Sequence, residues 1–199
     1  MDIILATNNQ HKLEEFKDIL QDGAVSVQPL SAYPDCPAMI EDGSTFIENA
    51  LIKARIVAAH TGHVTMADDS GLEVDALDGA PGIYSARYAG EDATDATNNE
   101  KLLQALDALP PAKRGAQFRC VIALVDPASG KEEVVEGLCR GGIITEQKGS
   151  CGFGYDPLFR DPASGLTFAE MGPEQKNNIS HRSCAIRELK KILPDFLRK

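Results

Sequence analysis

An apolar run of four residues, Ile3-Ile4-Leu5-Ala6, passes through a polar stretch into apolar residues at helical spacing, Leu13, Phe16, Ile19 and Leu20. The run is too short for a helix and the later spacing is wrong for a strand, so a buried strand feeds an amphipathic helix, the opening of an α/β layer. Gly23 stands where that helix should end. Pro29, Pro34, Pro37 and Gly43 make residues 29–43 a loop. Thr45 and Glu48 form a capping-box pattern at the head of a helix predicted to reach His60, with Phe46, Ala50, Leu51, Ala54, Val57 and Ala58 inward. Val64 to Ala67 is a predicted strand, broken by the turn formers Asp68-Asp69-Ser70-Gly71, with a short strand Leu72 to Val74 beyond.

Residues 75–93 read as loop, turned by Gly79, Pro81 and Gly82, and a helix then runs to Leu109, where Pro110-Pro111 stops it. Gln117 to Val125 and Glu132 to Cys139 are strands joined by the turn Asp126 to Gly130, a hairpin. Gly142 to Thr145 is a further short strand, and Gly149 to Phe159 is glycine-rich, then extended. Ser180 caps a last helix with Ala185, Ile186, Leu189 and Ile192 inward, ended near Pro194. Alternation early and a hairpin late predict an α/β (mixed α+β) chain with a mixed sheet and flanking helices. No linker stands out, so two lobes around a central cleft are expected rather than two independent domains.

Charge narrows the function. Lys plus Arg number 20 against 30 Asp plus Glu, a net −10, which argues against a protein that coats nucleic-acid backbones. A small anionic ligand stays open, since a few placed lysines and a metal suffice. The N-terminus has no basic start and no long apolar core, so no secretion signal is read. No stretch reaches the roughly 18 apolar residues of a membrane helix. Cys36, Cys120, Cys139, Cys151 and Cys184 are odd in number and lack Cys-x-x-Cys spacing. That pattern points to a reducing, cytoplasmic setting and no zinc site. Cys151 is the one to watch, because Gly149 and Gly152 are its near neighbours.

Five groups of residues could carry chemistry. Thr7-Asn8-Asn9-Gln10-His11-Lys12 lies between a strand and a helix, where N–H groups attract anions and Lys12 could bring a charge to a phosphate. The same residues would also make an ordinary capped turn. Asp68 and Asp69 at a strand end, with Glu41 nearby in the loop before the second helix, could hold Mg²⁺, which takes one or two carboxylates plus waters and phosphates. A carboxylate beside that ion could accept a proton from an attacking water. Lys53 could flank a triphosphate or simply be a solvated surface lysine. In Gly152-Phe153-Gly154-Tyr155-Asp156-Pro157 the glycines admit close approach, Phe153 offers a face for a base, and Asp156 could accept from a ring N–H. Lys176 and Ser180-His181-Arg182 donate hydrogen bonds, suiting a base edge with a carbonyl oxygen and refusing an amino group there.

Taken together these pieces resemble one family, the inosine triphosphate pyrophosphatase or Ham1-like family. Its Ser/Thr-x-Asn-x-x-Lys pattern stands as Thr7, Asn9 and Lys12. Glu41 to Ala50 with Lys53-Ala54, Ala67 to Leu72, Gly79 to Tyr88, Gly152 to Pro157 and Ser180 to Arg182 match its other motifs in order. The resemblance implies Mg²⁺-dependent hydrolysis of (deoxy)inosine and xanthosine triphosphates to the monophosphate and pyrophosphate, which removes deaminated purines from the nucleotide pool. It implies an elongated single domain over residues 1–199 with two lobes, and a homodimer. It implies Asp69 as proton acceptor and metal ligand, with Glu41 and Asp68 as further ligand candidates. Thr7, Asn8, Asn9, Gln10, His11, Lys12, Lys53 and Ser70 are implied to bind the substrate, chiefly its phosphates. Phe153, Gly154, Tyr155, Asp156, Lys176, His181 and Arg182 are implied to form the base pocket. Two rivals remain at this level: a related enzyme for modified pyrimidine triphosphates, and a nucleotide sensor that would have no need of Asp69.

Overall fold

Burial explains the first element: Ile3, Ile4 and Leu5 of β1 (Asp2–Leu5) are all enclosed, and β1 pairs in parallel with strands on both sides. The computed structural model describes residues 2–20 and 25–198; Gly23, expected to end the first helix, lies outside them. The further elements are α1 (Gln10–Leu20), β2 (Ser26–Pro29), α2 (Phe46–Thr61), β3 (Thr65–Val74), α3 (Asp95–Leu106), β4 (Gly115–Val125), β5 (Glu132–Ile143), β6 (Phe159–Arg160), α4 (Pro173–Ile179) and α5 (His181–Phe196). The strands form one six-stranded sheet in the order β2-β1-β3-β4-β5-β6. β1 runs parallel to β2 and β3, and β5 antiparallel to β6, so the sheet is mixed and the fold class is the expected one.

Four expectations change. Asp68-Asp69-Ser70-Gly71 does not break a strand; β3 runs through it without interruption. Turn propensity loses because both carboxylates find buried cationic partners, described below. β5 likewise continues to Ile143, so no separate strand begins at Gly142. A Cβ on Gly141 would lie 2.5 Å from Phe159 Cζ and 2.6 Å from Arg160 O, so this glycine admits the neighbouring strand and does not end its own. The third helix stops at Leu106, and a turn bonding Leu109 N–H to Leu106 O leads to the prolines. Pro194 sits inside α5, which ends at Phe196. Pro194 has no N–H to give Lys190 O and its ring crowds that carbonyl, and the helix closes within two residues of it. The edge strand β2 and the seven-residue α4 carried no sequence signal strong enough to predict them.

The chain divides into two compact units. The first comprises Met1–Asp69, Cys120–Gly137 and Arg182–Lys199. Its core joins Leu13, Phe16 and Leu20 of α1 to Ile3, Leu5, Met66 and Ile122 of the sheet and to Ala185, Ile186 and Leu189 of α5. The second comprises Ser70–Arg119 and Leu138–His181. Its core packs Leu102 and Leu106 of α3 with Phe118, Tyr155, Phe159 and Phe168. Among the described residues no helix is long and apolar enough to cross a membrane.

Candidate active site

In the first unit, β1 gives way to Thr7-Asn8-Asn9 and α1. Asn9 caps the helix: its Oδ1 accepts from Lys12 N–H at 3.1 Å, and its own N–H donates to Thr7 Oγ1 at 3.2 Å. The cap fixes the turn and leaves Asn8, Asn9, Gln10 and His11 exposed at the helix start. Gln10 also donates to Glu14.

The second helix supplies two buried polar side chains among its apolar ones, Asn49 and Lys53, which share its inward face. Thr45 caps this helix by accepting from Glu48 N–H. The Glu48 carboxylate returns one residue earlier than a capping box requires, to Ser44 N–H and Oγ at 2.7 Å each. Asn49 Oδ1 accepts from Gly43 N–H at 2.9 Å, and Asn49 Nδ2 donates to Asp69 Oδ2 at 3.2 Å. A Cβ on Gly43 would stand 2.7 Å from Asn49 Oδ1, so the loop before α2 can approach only as glycine. Lys53 Nζ lies 2.9 Å from Glu41 Oε1 and 3.3 Å from Asp69 Oδ1. Lys53 is therefore no surface lysine, and Glu41 reaches Asp69 through it.

Successive residues of a strand point to opposite faces, and in β3 this separates the two aspartates. Asp69 faces Asn49 and Lys53, whereas Asp68 pairs with Lys12 Nζ at 2.9 Å and Arg182 Nη2 at 3.4 Å. Arg182 also pairs with Glu15 of α1. Burial pushes Asp68 up, but Lys12 and Arg182 outweigh it and hold its carboxyl well below the usual carboxylate range. Burial also pushes Asp69 up; Lys53 opposes this, Glu41 adds to it, and the result is a raised pKa.

The second unit holds the glycine–aromatic segment. Asp156 is its hub: Oδ2 accepts from Phe153 N–H at 3.0 Å and from Lys176 Nζ at 2.7 Å. Gly152 has φ +76°, and a Cβ there would lie 2.0 Å from Asp156 Oδ2. Lys176 Nζ stands 4.9 Å from the centre of the half-buried Phe153 ring. Tyr155 is buried and donates to Ser85 O at 2.8 Å, and burial raises its phenol pKa. His181 stacks on Phe118, with centroids 4.7 Å apart.

The structure thus gathers the sequence candidates into two groups. Thr7 to Lys12, Glu41, Lys53, Asp68, Asp69 and Arg182 belong to the first unit, and Ser70, Phe153 to Asp156, Lys176 and His181 to the second. Arg182 parts from its neighbour His181 and joins the Asp68 network. Sequence reasoning missed Asn49, Glu15 and Gly43. Asn49 had a signal, a polar residue amid the inward positions of an amphipathic helix. Glu15 had none.

Comparison with known proteins gives the family of the chain. A model of the Ham1 family matches residues 3–192. A dITP/XTP pyrophosphatase of Desulforamulus reducens is 49% identical over 193 residues, covering 97% of this chain and 96% of that protein. One of Exiguobacterium sibiricum is also 49% identical, covering 99% of each. The Staphylococcus aureus Ham1 protein superposes with a TM-score of 0.87 at 44% identity, over 98% of this chain and 99% of its own. A HAM1 protein from Coxiella burnetii gives 0.89 at 43%, with the same coverage of both chains.

Proposed function

The chain belongs to the Ham1 family and is a nucleoside-triphosphate hydrolase; from that premise we propose that it cleaves deaminated purine triphosphates (dITP and ITP, XTP and dXTP) to the monophosphate and pyrophosphate. The observation that carries the mechanism is the Glu41–Lys53–Asp69 group, held by Asn49. Asp69 is the proton acceptor for the attacking water. Asn49 and Lys53 fix its carboxylate for that role. Lys12, Lys53 and the N–H groups at the start of α1 bind the phosphates and stabilise charge on the departing pyrophosphate. Thr7, Asn8, Asn9, Gln10 and His11 take part in the same phosphate binding, and Ser70 is assigned to the substrate as well.

Mg²⁺ is part of the proposal. Glu41 and Asp69 already share one cation, the Lys53 ammonium, and they form an all-oxygen donor pair. Among the described residues no group of three or more His, Cys, Asp or Glu stands at metal-ligating spacing. Mg²⁺ does not require one, because it is held by one or two carboxylates with waters and phosphates completing the shell. Glu41 and Asp69 would hold it, and bound there it supplies Lewis-acid charge against the phosphates. Asp68 is read as a positioning group, since Lys12 and Arg182 already balance it.

Phe153 provides the stacking face for the base, and Lys176, with His181, the donors that favour a 6-oxo purine; Arg182, expected among them, is taken up by Asp68 and Glu15. Gly154, Tyr155 and Asp156 shape that pocket. Adenine, with an amino group at position 6, meets donors and is refused. A homodimer acting in the cytoplasm belongs to the same proposal; light scattering giving the mass of one chain would remove the dimer from it. A screen of triphosphates tests the substrate class. Preference for ITP and XTP is expected, and preference for dUTP or modified pyrimidine triphosphates would replace this reading with the pyrimidine one.

A further inference from the structure

Helix α3 grips one residue of the glycine–aromatic segment by its backbone. Asp95 Oδ2 accepts from Gly154 N–H at 2.7 Å, and Asn99 Nδ2 donates to Gly154 O at 2.9 Å. Asp95 and Asn99 are four residues apart and so share one helix face. Gly154 has φ +62° and no side chain by which packing could hold it. Two hydrogen bonds of opposite sense on one residue fix the peptide on each side of it.

Neighbouring side chains on α3 show what is unusual here. Asn98 uses its whole amide: Oδ1 accepts from Ala89 N–H at 2.7 Å and Nδ2 donates to Ala86 O at 3.1 Å. Asn99 is 2% exposed, and among the described residues its Oδ1 has no partner. A buried acceptor left unpaired carries a desolvation cost, so an amide used by half is a poor device for stability alone. Among the described residues the bond its side chain makes is to Gly154. The rest of the segment is tied as well, Phe153 N–H to Asp156, Asp156 to Lys176 and Tyr155 to Ser85. The α3 bonds therefore complete a frame whose outcome is the separation of the Phe153 ring and the Lys176 ammonium.

We propose that Asp95 and Asn99 are positioning residues for base recognition, holding Gly154 so that Phe153 and Lys176 meet a 6-oxo purine in one fixed geometry. The inference rests on the reading of Phe153 and Lys176 as the base pocket. Neither residue touches the base; both act through Gly154. Losing the frame loosens base binding and leaves the phosphate chemistry intact.

The test compares ITP and ATP turnover by the whole chain carrying Asp95→Ala or Asn99→Ala, each checked for folding by circular dichroism and Tm. Asp95 is exposed, so Asp95→Ala should fold even where Asn99→Ala does not. We expect KM for ITP to rise about tenfold, the ITP-over-ATP ratio of kcat/KM to fall about tenfold, and kcat for ITP to stay within about twofold. Asp95→Asn keeps an acceptor oxygen and should restore the ratio. Asn98→Ala removes a buried amide of the same kind from the same helix; it should lower Tm without moving the ratio. Wild-type selectivity surviving in folded Asp95→Ala overturns the proposal alone. Equal wild-type turnover of ITP and ATP overturns the base-pocket reading, and this proposal with it.

Discussion

Asp68 and Asp69 are neighbours in the chain, yet they answer to different cations: Asp68 to Lys12 and Arg182, Asp69 to Lys53. The uninterrupted strand β3 makes this division, and it gives the two carboxylates separable roles.

Asp69→Asn should therefore remove chemistry and spare the fold. We expect kcat to fall at least about a hundredfold, the usual worth of a positioned general base, with Tm close to wild type. Unchanged turnover would falsify the catalytic assignment and favour a nucleotide sensor.

Asp68→Asn should do the reverse in its first effect. Removing one partner from a buried ion-pair network leaves Lys12 and Arg182 without their shared counter-charge, a loss of about 3 kcal/mol or more. At this chain length that lowers Tm by roughly 6–12 °C. Thermal unfolding within 2 °C of wild type, an interval about the size of a surface mutation's effect, would show that the pair contributes no such stability.

Glu41→Gln should raise the Mg²⁺ concentration needed for half-maximal turnover about tenfold or more, the order seen when groups supporting a metal site are lost. Asp68→Asn should leave that concentration nearer the wild-type value. The opposite ranking would assign the second ligand to Asp68.

The start of α2 carries a pH signature free of the active chemistry. The Ser44 hydroxyl, and then its N–H, bond the Glu48 carboxylate and hold its pKa below the ordinary glutamate value. A carboxyl depressed by folding contributes stability above its unfolded pKa of about 4.3 and loses that contribution as pH falls through the folded value. Ser44→Ala should raise the Glu48 pKa measured by NMR and flatten this part of the acid-unfolding curve. A Glu48 pKa at or above the ordinary value in the wild type would contradict the hydrogen bonding described.

Much of this was legible in the sequence because it rests on local rules. The apolar spacing of Leu13, Phe16 and Leu20, the Thr45 cap and the Asp126 to Gly130 turn each announce an element from nearby residues alone. Asp68-Asp69-Ser70-Gly71 misled because its turn propensity is local and the Lys12, Lys53 and Arg182 charges that override it are distant in the chain. Gly141 misled similarly, since its reason is the approach of Phe159 and Arg160. In the site, Glu41, Lys53 and Asp69 could be named from motif order. That Lys53 bridges the two carboxylates, that Asn49 holds Asp69, and that Glu15 stands behind Arg182 required the fold.

Product analysis shows at once which bond is cleaved and which base is accepted. The enzyme is incubated with Mg²⁺ and ITP, XTP, ATP or GTP, and pyrophosphate is separated from phosphate. We expect IMP plus pyrophosphate from ITP, XMP plus pyrophosphate from XTP, and ATP nearly untouched. Release of phosphate in place of pyrophosphate, or turnover of ATP equal to that of ITP, would contradict the proposed function.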